Sequence, residues 1–226
     1  MSVHPIRREV QAAVPAQHDP HEWLNAPQLA AVAPPAWVLP PPRLDAGWSL
    51  MQALLQRRSR RGFSSAALPE QVLADLLWAA AGINRPGLGG RTTPRAIELQ
   101  AIEVYVALPA GLYRYEPLGH LLRGVLPRDL RAVTGNQDFI GDAALDLVFV
   151  ADHRHVDWVQ AEQREAYAHA AAGAMAQSVY LVCASLGLAT VLRAWIDRDV
   201  LGAAMALGNG QQVLLAQTVG YPDTRA

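Results

Sequence analysis

Residues 48–63 read WSLMQALLQRRSRRGF. Trp48, Met51, Leu54 and Leu55 recur at helical spacing, and the helix they predict runs directly into Arg57-Arg58-Ser59-Arg60-Arg61-Gly62-Phe63. Four guanidiniums and a hydroxyl at one helix terminus suit a dianionic phosphate attached to a polyol. Arginine makes paired, charge-assisted bonds to phosphate, and serine adds another donor. A solvated basic run or a nucleic-acid patch would show the same residues. The segment by itself leaves these readings open.

Outward from that run the pattern stays regular. Pro69 opens a second helix with Val72, Leu73, Leu76, Leu77 and Ala80 on its apolar stripe, and Gly82 ends it. Residues 84–94, rich in glycine and proline, predict a loop. Gly87, Gly89 and Gly90 resemble a phosphate-cradling loop only superficially, since no GK[ST] or G-x-G-x-x-G follows. Ile102, Val104 and Val106 alternate with Glu103 and Tyr105 as a strand does. Residues 111–117 and 120–126 predict a hairpin around Leu118-Gly119, with one ring of the Tyr113/Tyr115 pair on the core. Short helices near 127–142 and a buried strand at 144–151 come next.

A long helix is predicted over 160–187. Ala168, Ala172, Met175, Val179, Val182 and Leu186 form one face; Ala171, Ala174, Ser178 and Leu181 form the other, also small and uncharged. A helix apolar all round is buried. A strand at 190–196, a helix capped by Asp197 and a strand at 213–219 complete an α+β fold, helix-rich around a central mixed sheet. Residues 1–47 differ: repeated prolines deny them long helices or central strands, yet Trp23, Trp37 and Leu39 are there to be buried. The expected division is a proline-rich arm, 1–47, and a regular domain, 48–226. The arm is read as draped over a surface, such as that of a partner subunit, or else as a free tail. Arm and apolar helix together predict an obligate homodimer, because a lone chain would expose a large apolar patch.

Composition removes several function classes. The chain has 226 residues, 51% hydrophobic and 17% charged, with net charge −1. That excludes general disorder and argues against a dedicated nucleic-acid binder. No apolar run reaches the ~18 residues of a membrane span. All 19 basic residues are arginine, so lysine-based covalent chemistry is impossible. Cys183, the single cysteine, reads as a small buried hydrophobe. Asp152-His153-Arg154-His155-x-Asp157 has no known ligand spacing and reads as a polar loop; His169 reads as a core or interface histidine. Residues 1–8 lead into no apolar run, so a signal peptide is not expected and the cytoplasm is.

Five blocks, in order, resemble the FMN-dependent nitroreductase superfamily: RRSRRGF with LLWAAAGIN, RTTPRAIELQAIEVYV, GLYRYEP, AQSVYLVCASLGLATVLRAWIDR and AQTVGYP. The likeness covers roughly residues 40–222, and GLYRYEP after the Arg-Thr-x-Pro loop favours the branch resembling SagB-type oxidases of peptide azoline rings. The resemblance implies that Arg57, Arg58, Ser59 and Arg61 hold the phosphate and ribityl oxygens of FMN. It implies that Pro94, Arg95, Ala96, Glu98 and Gln100 lie on the segment reaching FMN from the second subunit. Arg95 and Glu98 depart from the family, which usually has a small residue at the first position and Asn or Leu near the second. Leu192, Arg193, Ala194 and Trp195 match the segment behind the isoalloxazine ring, where backbone N–H groups face N5 and O4; Arg225 matches a basic residue on the phosphate.

The function so implied is an oxidoreductase in which FMN at a homodimer interface takes hydride from NAD(P)H and reduces a nitroaromatic, quinone or similar acceptor, with no catalytic side chain. The alternatives are a dehydrogenase of a ring in a peptide or small molecule, with Glu98 or Tyr113 as its base, and a flavin-poor dimeric scaffold. No metal is expected.

Overall fold

The computed structural model describes residues 32–94, 102–156 and 158–223. In chain order these form β1 (Trp37–Val38), α1 (Leu50–Gln56), β2 (Phe63–Ser64), α2 (Glu70–Ala81), β3 (Ile83–Arg85), β4 (Gly90–Arg91), β5 (Ile102–Leu108), β6 (Gly111–Glu116), β7 (Leu121–Leu126), β8 (Leu145–Asp152), α3 (Ala161–Ser185), β9 (Ala189–Arg193), α4 (Arg198–Ala204) and β10 (Gln211–Pro222). The main sheet runs β1-β7-β6-β5-β8-β10-β2, with β9 also pairing β10.

Every described pair in this sheet is antiparallel, which corrects the expectation of a mixed sheet. The reason is topological. Helix α3 leads from β8 to β9, the strand–helix–strand order that normally gives parallel neighbours. Here β10 enters between the two and pairs antiparallel with both.

Helices α2 and α3 cover one face of the sheet, where Leu73, Leu76, Leu77, Ala172 and Val179 pack on Val104, Leu147 and Phe149. Helix α4 covers the other, with Leu201 and Met205 against Leu112, Val148, Val150 and Val213. Strand β8 is buried at all eight positions, with the apolar run Leu147–Ala151 packed between two layers. Tyr113 and Tyr115 are both buried, not one of the pair, because residues two apart share a strand face. No helix among the described residues is long and apolar enough to cross a membrane.

Two local expectations change. Residues 127–142 contain a single 3₁₀ turn, Arg131–Val133, in place of short α-helices; Pro127, Gly135 and Gly141 interrupt the stretch before a helix can propagate. The loop at 84–94 folds into a small β3–β4 ribbon around a 3₁₀ turn.

The described part of the arm packs on its own chain. Trp37 and Val38 pair with β7, Leu39 is buried, and Arg43 clasps Asp75 of α2 through Nε at 2.9 Å and Nη2 at 2.6 Å. Gly124 is needed here, since a side chain on it would collide with the Pro34 carbonyl. Helix α3 buries Ala168, Ala172, Met175, Val179 and Cys183, while Ala171, Ala174, Ser178 and Leu181 stay half-buried in the single chain. Burial pushes the Cys183 thiol well above its usual range, which keeps it protonated and inert.

Candidate active site

Helix α1 begins with a capping box, Ser49 with Gln52, and stops at Arg57, whose backbone turns extended. The arginine run is then held on both sides. Arg60 N–H donates to the Thr190 carbonyl of β9 at 3.0 Å, and Asp223 N–H donates to the Gly62 carbonyl at 3.2 Å. Strand β2 closes on the end of β10, with Ser64 opposite Tyr221.

Tyr180 of α3 joins these parts. Its hydroxyl lies 2.8 Å from Ser59 Oγ and accepts the Leu192 N–H at 2.9 Å, while the Arg57 guanidinium sits 5.3 Å from its ring centre. A phenol has one proton. Tyr180 accepts from Leu192 and shares a hydrogen bond with Ser59 in which either hydroxyl can donate. Tyr180 was not among the expected site residues. A tyrosine set among Val, Leu and Ala reads as core, and a lone hydroxyl on that face was its only signal.

Arg57 is half-buried; Arg58 and Arg61 are exposed. Among the described residues none of the four arginines in the run forms an ion pair. Among the described residues no carboxylate pairs with them, at a segment where Ser59 is exposed as well.

At the end of β9 the expected residues separate. The Leu192 N–H is already used by Tyr180. Arg193 does not reach outward: it is 4% exposed, and its guanidinium donates to Asp146 Oδ1 at 2.6 Å, Thr134 O at 2.8 Å, Thr134 Oγ1 at 2.8 Å and Gln137 Oε1 at 3.2 Å. The Arg193 side chain is therefore committed to the interior. Strand alternation turns it inward, opposite to Leu192, and Asp146 on β8 receives it. Burial pulls the guanidinium below its usual range, against Asp146, which raises it. Thr218 Oγ1 also donates to Asp146 Oδ1, at 2.6 Å. Ala194 and Trp195 are exposed, and the Trp195 carbonyl accepts from Gln137 Nε2 at 3.1 Å.

The Thr-Thr-Pro loop is anchored on the end of α2. Thr92 Oγ1 donates to Trp78 O at 2.9 Å, Thr93 Oγ1 to Ala80 O at 3.1 Å and Arg91 Nη1 to Ala81 O at 2.7 Å. Thr93 and Arg91 satisfy carbonyls that the helix terminus leaves open, while Trp78 O also accepts the Gly82 N–H at 2.7 Å, and together they fix where the exposed Pro94 departs. Arg95, Ala96, Glu98, Gln100 and Arg225 lie outside the described residues. Tyr113 packs edge-on against Trp37 in the core. Asp152 is bound by Arg154, and among the described residues no group of three metal-capable side chains gathers.

The Nitroreductase family profile matches residues 54–221. A candidate nitroreductase of Methanocaldococcus jannaschii is 31% identical over 67% of this chain and 81% of its own length. The crystal structure of a candidate nitroreductase from Ralstonia eutropha is 46% identical, covers 86% of this chain and 92% of its own, and superposes with a TM-score of 0.82. The E. coli microcin synthetase McbBCD complex with truncated pro-MccB17 bound shares the fold at 20% identity, over 92% of this chain and 82% of that one, with a TM-score of 0.63. With three quarters of its length inside the family profile and a relative 31% identical to it, this chain belongs to the nitroreductase family and is an oxidoreductase.

Proposed function

We propose that the arginine segment and the end of β9 hold FMN, and that the protein transfers hydride from NAD(P)H to a small acceptor such as a nitroaromatic or a quinone. The observation that carries this reading is the Leu192–Tyr180–Ser59 chain beside four arginines without ion pairs among the described residues. Such a site fits a phosphate ester: Arg58, Arg61 and Ser59 offer donors to its oxygens, and Arg57, stacked on Tyr180, adds charge without free motion. Thr190 and Leu192 turn their backbone groups to the outer edge of β9, so alternation puts the Ala194 N–H on that edge too. There it suits an oxygen or nitrogen on which charge develops. When bound, the flavin supplies the hydride acceptor at N5. The protein's part is to bind, orient and present N–H groups; no side-chain acid is required.

A homodimer belongs to the same proposal. Trp48, Leu50, Met51, Leu54 and Leu55 are between 44% and 80% exposed, all around α1, whose Ala53 alone turns inward. A patch of that kind suits a partner subunit, whose Pro94–Gln100 segment would complete the site. The purified protein is expected to be yellow, to release FMN on denaturation, and to sediment as a dimer at micromolar concentration. A colourless protein that takes up no added FMN would overturn the flavin assignment, and a stable folded monomer would overturn the dimer.

Tyr180→Phe separates positioning from mere packing. The variant keeps the ring under Arg57 and removes the hydroxyl that orders Ser59. The expected result is FMN affinity lowered about three- to tenfold, the worth of roughly one neutral hydrogen bond, with riboflavin affinity unchanged. Equal losses for both ligands would mean that the hydroxyl acts only on the fold.

A further inference from the structure

A cavity of about 460 Å³ opens between the end of α2, the β3–β4 ribbon, strands β5 and β6, and the first half of α3. No residue of the arginine run or of β9 lines it. Its floor is apolar: Ile83, Ile102, Val104, Val156, Val159 and Met175. Its volume is that of a small-molecule site.

The polar groups in the wall divide into spent and unspent. Glu103 accepts from Arg114 Nη1 at 2.8 Å, Gln211 Nε2 at 2.7 Å and the Tyr105 hydroxyl at 3.2 Å. Glu116 is bound by Arg123 and, at 3.1 Å, by Arg114. Hydrogen bonding from Arg123, with Arg114 adding to it, holds Glu116 down to about 2, so it stays ionised and matched. Arg164 of α3 forms no ion pair among the described residues. His153 Nε2 lies 3.1 Å from Gln212 Oε1, while Nδ1 is enclosed and without a hydrogen-bond partner among the described residues. An Nε2–H donated to the amide oxygen leaves a bare lone pair on Nδ1. The wall thus leaves Arg164 without an anion among the described residues, while the His153 Nδ1 lone pair is closed off from the cavity.

We propose that this cavity is a binding site for a small amphipathic carboxylate, its ring or chain on the apolar floor and its carboxylate on Arg164. Both wall glutamates are neutralised by arginine, so neither repels the incoming anion. The site is independent of the flavin assignment, because it shares no residue with that region.

Indole-3-acetate has both an apolar ring and a carboxylate and serves as the probe, titrated calorimetrically into the purified full chain. Saturable binding, one per chain, is expected. Arg164→Ala should weaken it at least tenfold, and the neutral indole-3-acetamide should bind at least tenfold more weakly to the unaltered protein. Ala171→Phe, which fills the cavity from α3, should abolish binding, with circular dichroism and the thermal midpoint checking its fold. Arg164 is only half-buried and forms no ion pair, so its variant keeps the test decisive if Ala171→Phe does not fold. Saturating FMN should leave the affinity unchanged. Absence of saturable binding, equal binding of the amide, full affinity in Arg164→Ala, or displacement by FMN would each overturn the proposal.

Discussion

Arg193→Ala is expected to cost about 3–5 kcal/mol of folding free energy, the usual result of stripping one partner from a buried ion pair. In a chain of this size that lowers the thermal midpoint by roughly 6–20 °C. Asp146 is fully buried, and Arg193 and Thr218 donate to its Oδ1, while Oδ2 has no partner among the described residues. Without the guanidinium a carboxylate would remain in a dry interior with one hydroxyl for company. The same change releases Thr134 and Gln137, so the turn that carries them loses its tie to β9. Combining Arg193→Met with Asp146→Asn should recover part of the loss, since no buried charge is then left over. A thermal midpoint within 2 °C of the unaltered protein in Arg193→Ala would show that water relaxes into the site and that the pair contributes little.

What could be read from the sequence was what rests on local periodicity. Strand β8 and α3 lie where their apolar residues placed them, because each buries a face against the other layer, and the β6–β7 hairpin turns where Leu118-Gly119 placed it. The insertion of β10 between β8 and β9 is not local, and no spacing within either strand encodes it. At the site the same distinction applies. The arginine run is contiguous and visible. The inward turn of Arg193 depends on Asp146, 47 residues away, and the role of Tyr180 depends on Ser59, 121 residues away. The threonines of the Thr-Thr-Pro loop show their purpose only once the carbonyls of α2 stand beside them.

Arg193 and Arg61 are chemically identical, and the fold gives them opposite uses. The first is spent: every strong partner it can make lies inside the chain. The second is exposed and without an ion pair among the described residues, so its loss should leave stability within about 0.5 kcal/mol, as for surface positions without special contacts. Its effect is expected on the ligand instead. Removing one charge-assisted contact to phosphate costs on the order of 1.5–3 kcal/mol, so Arg61→Ala should weaken FMN binding about ten- to hundredfold. Arg58→Ala together with Arg61→Ala should weaken it further, while the apoprotein still melts at the temperature of the unaltered apoprotein. Riboflavin, which lacks the phosphate, provides the control: its affinity should change by less than twofold in either variant. Fluorescence titration of the apoprotein with both ligands measures this directly. If FMN affinity is unmoved in the double variant, the arginine run serves another anion and the phosphate must be held elsewhere.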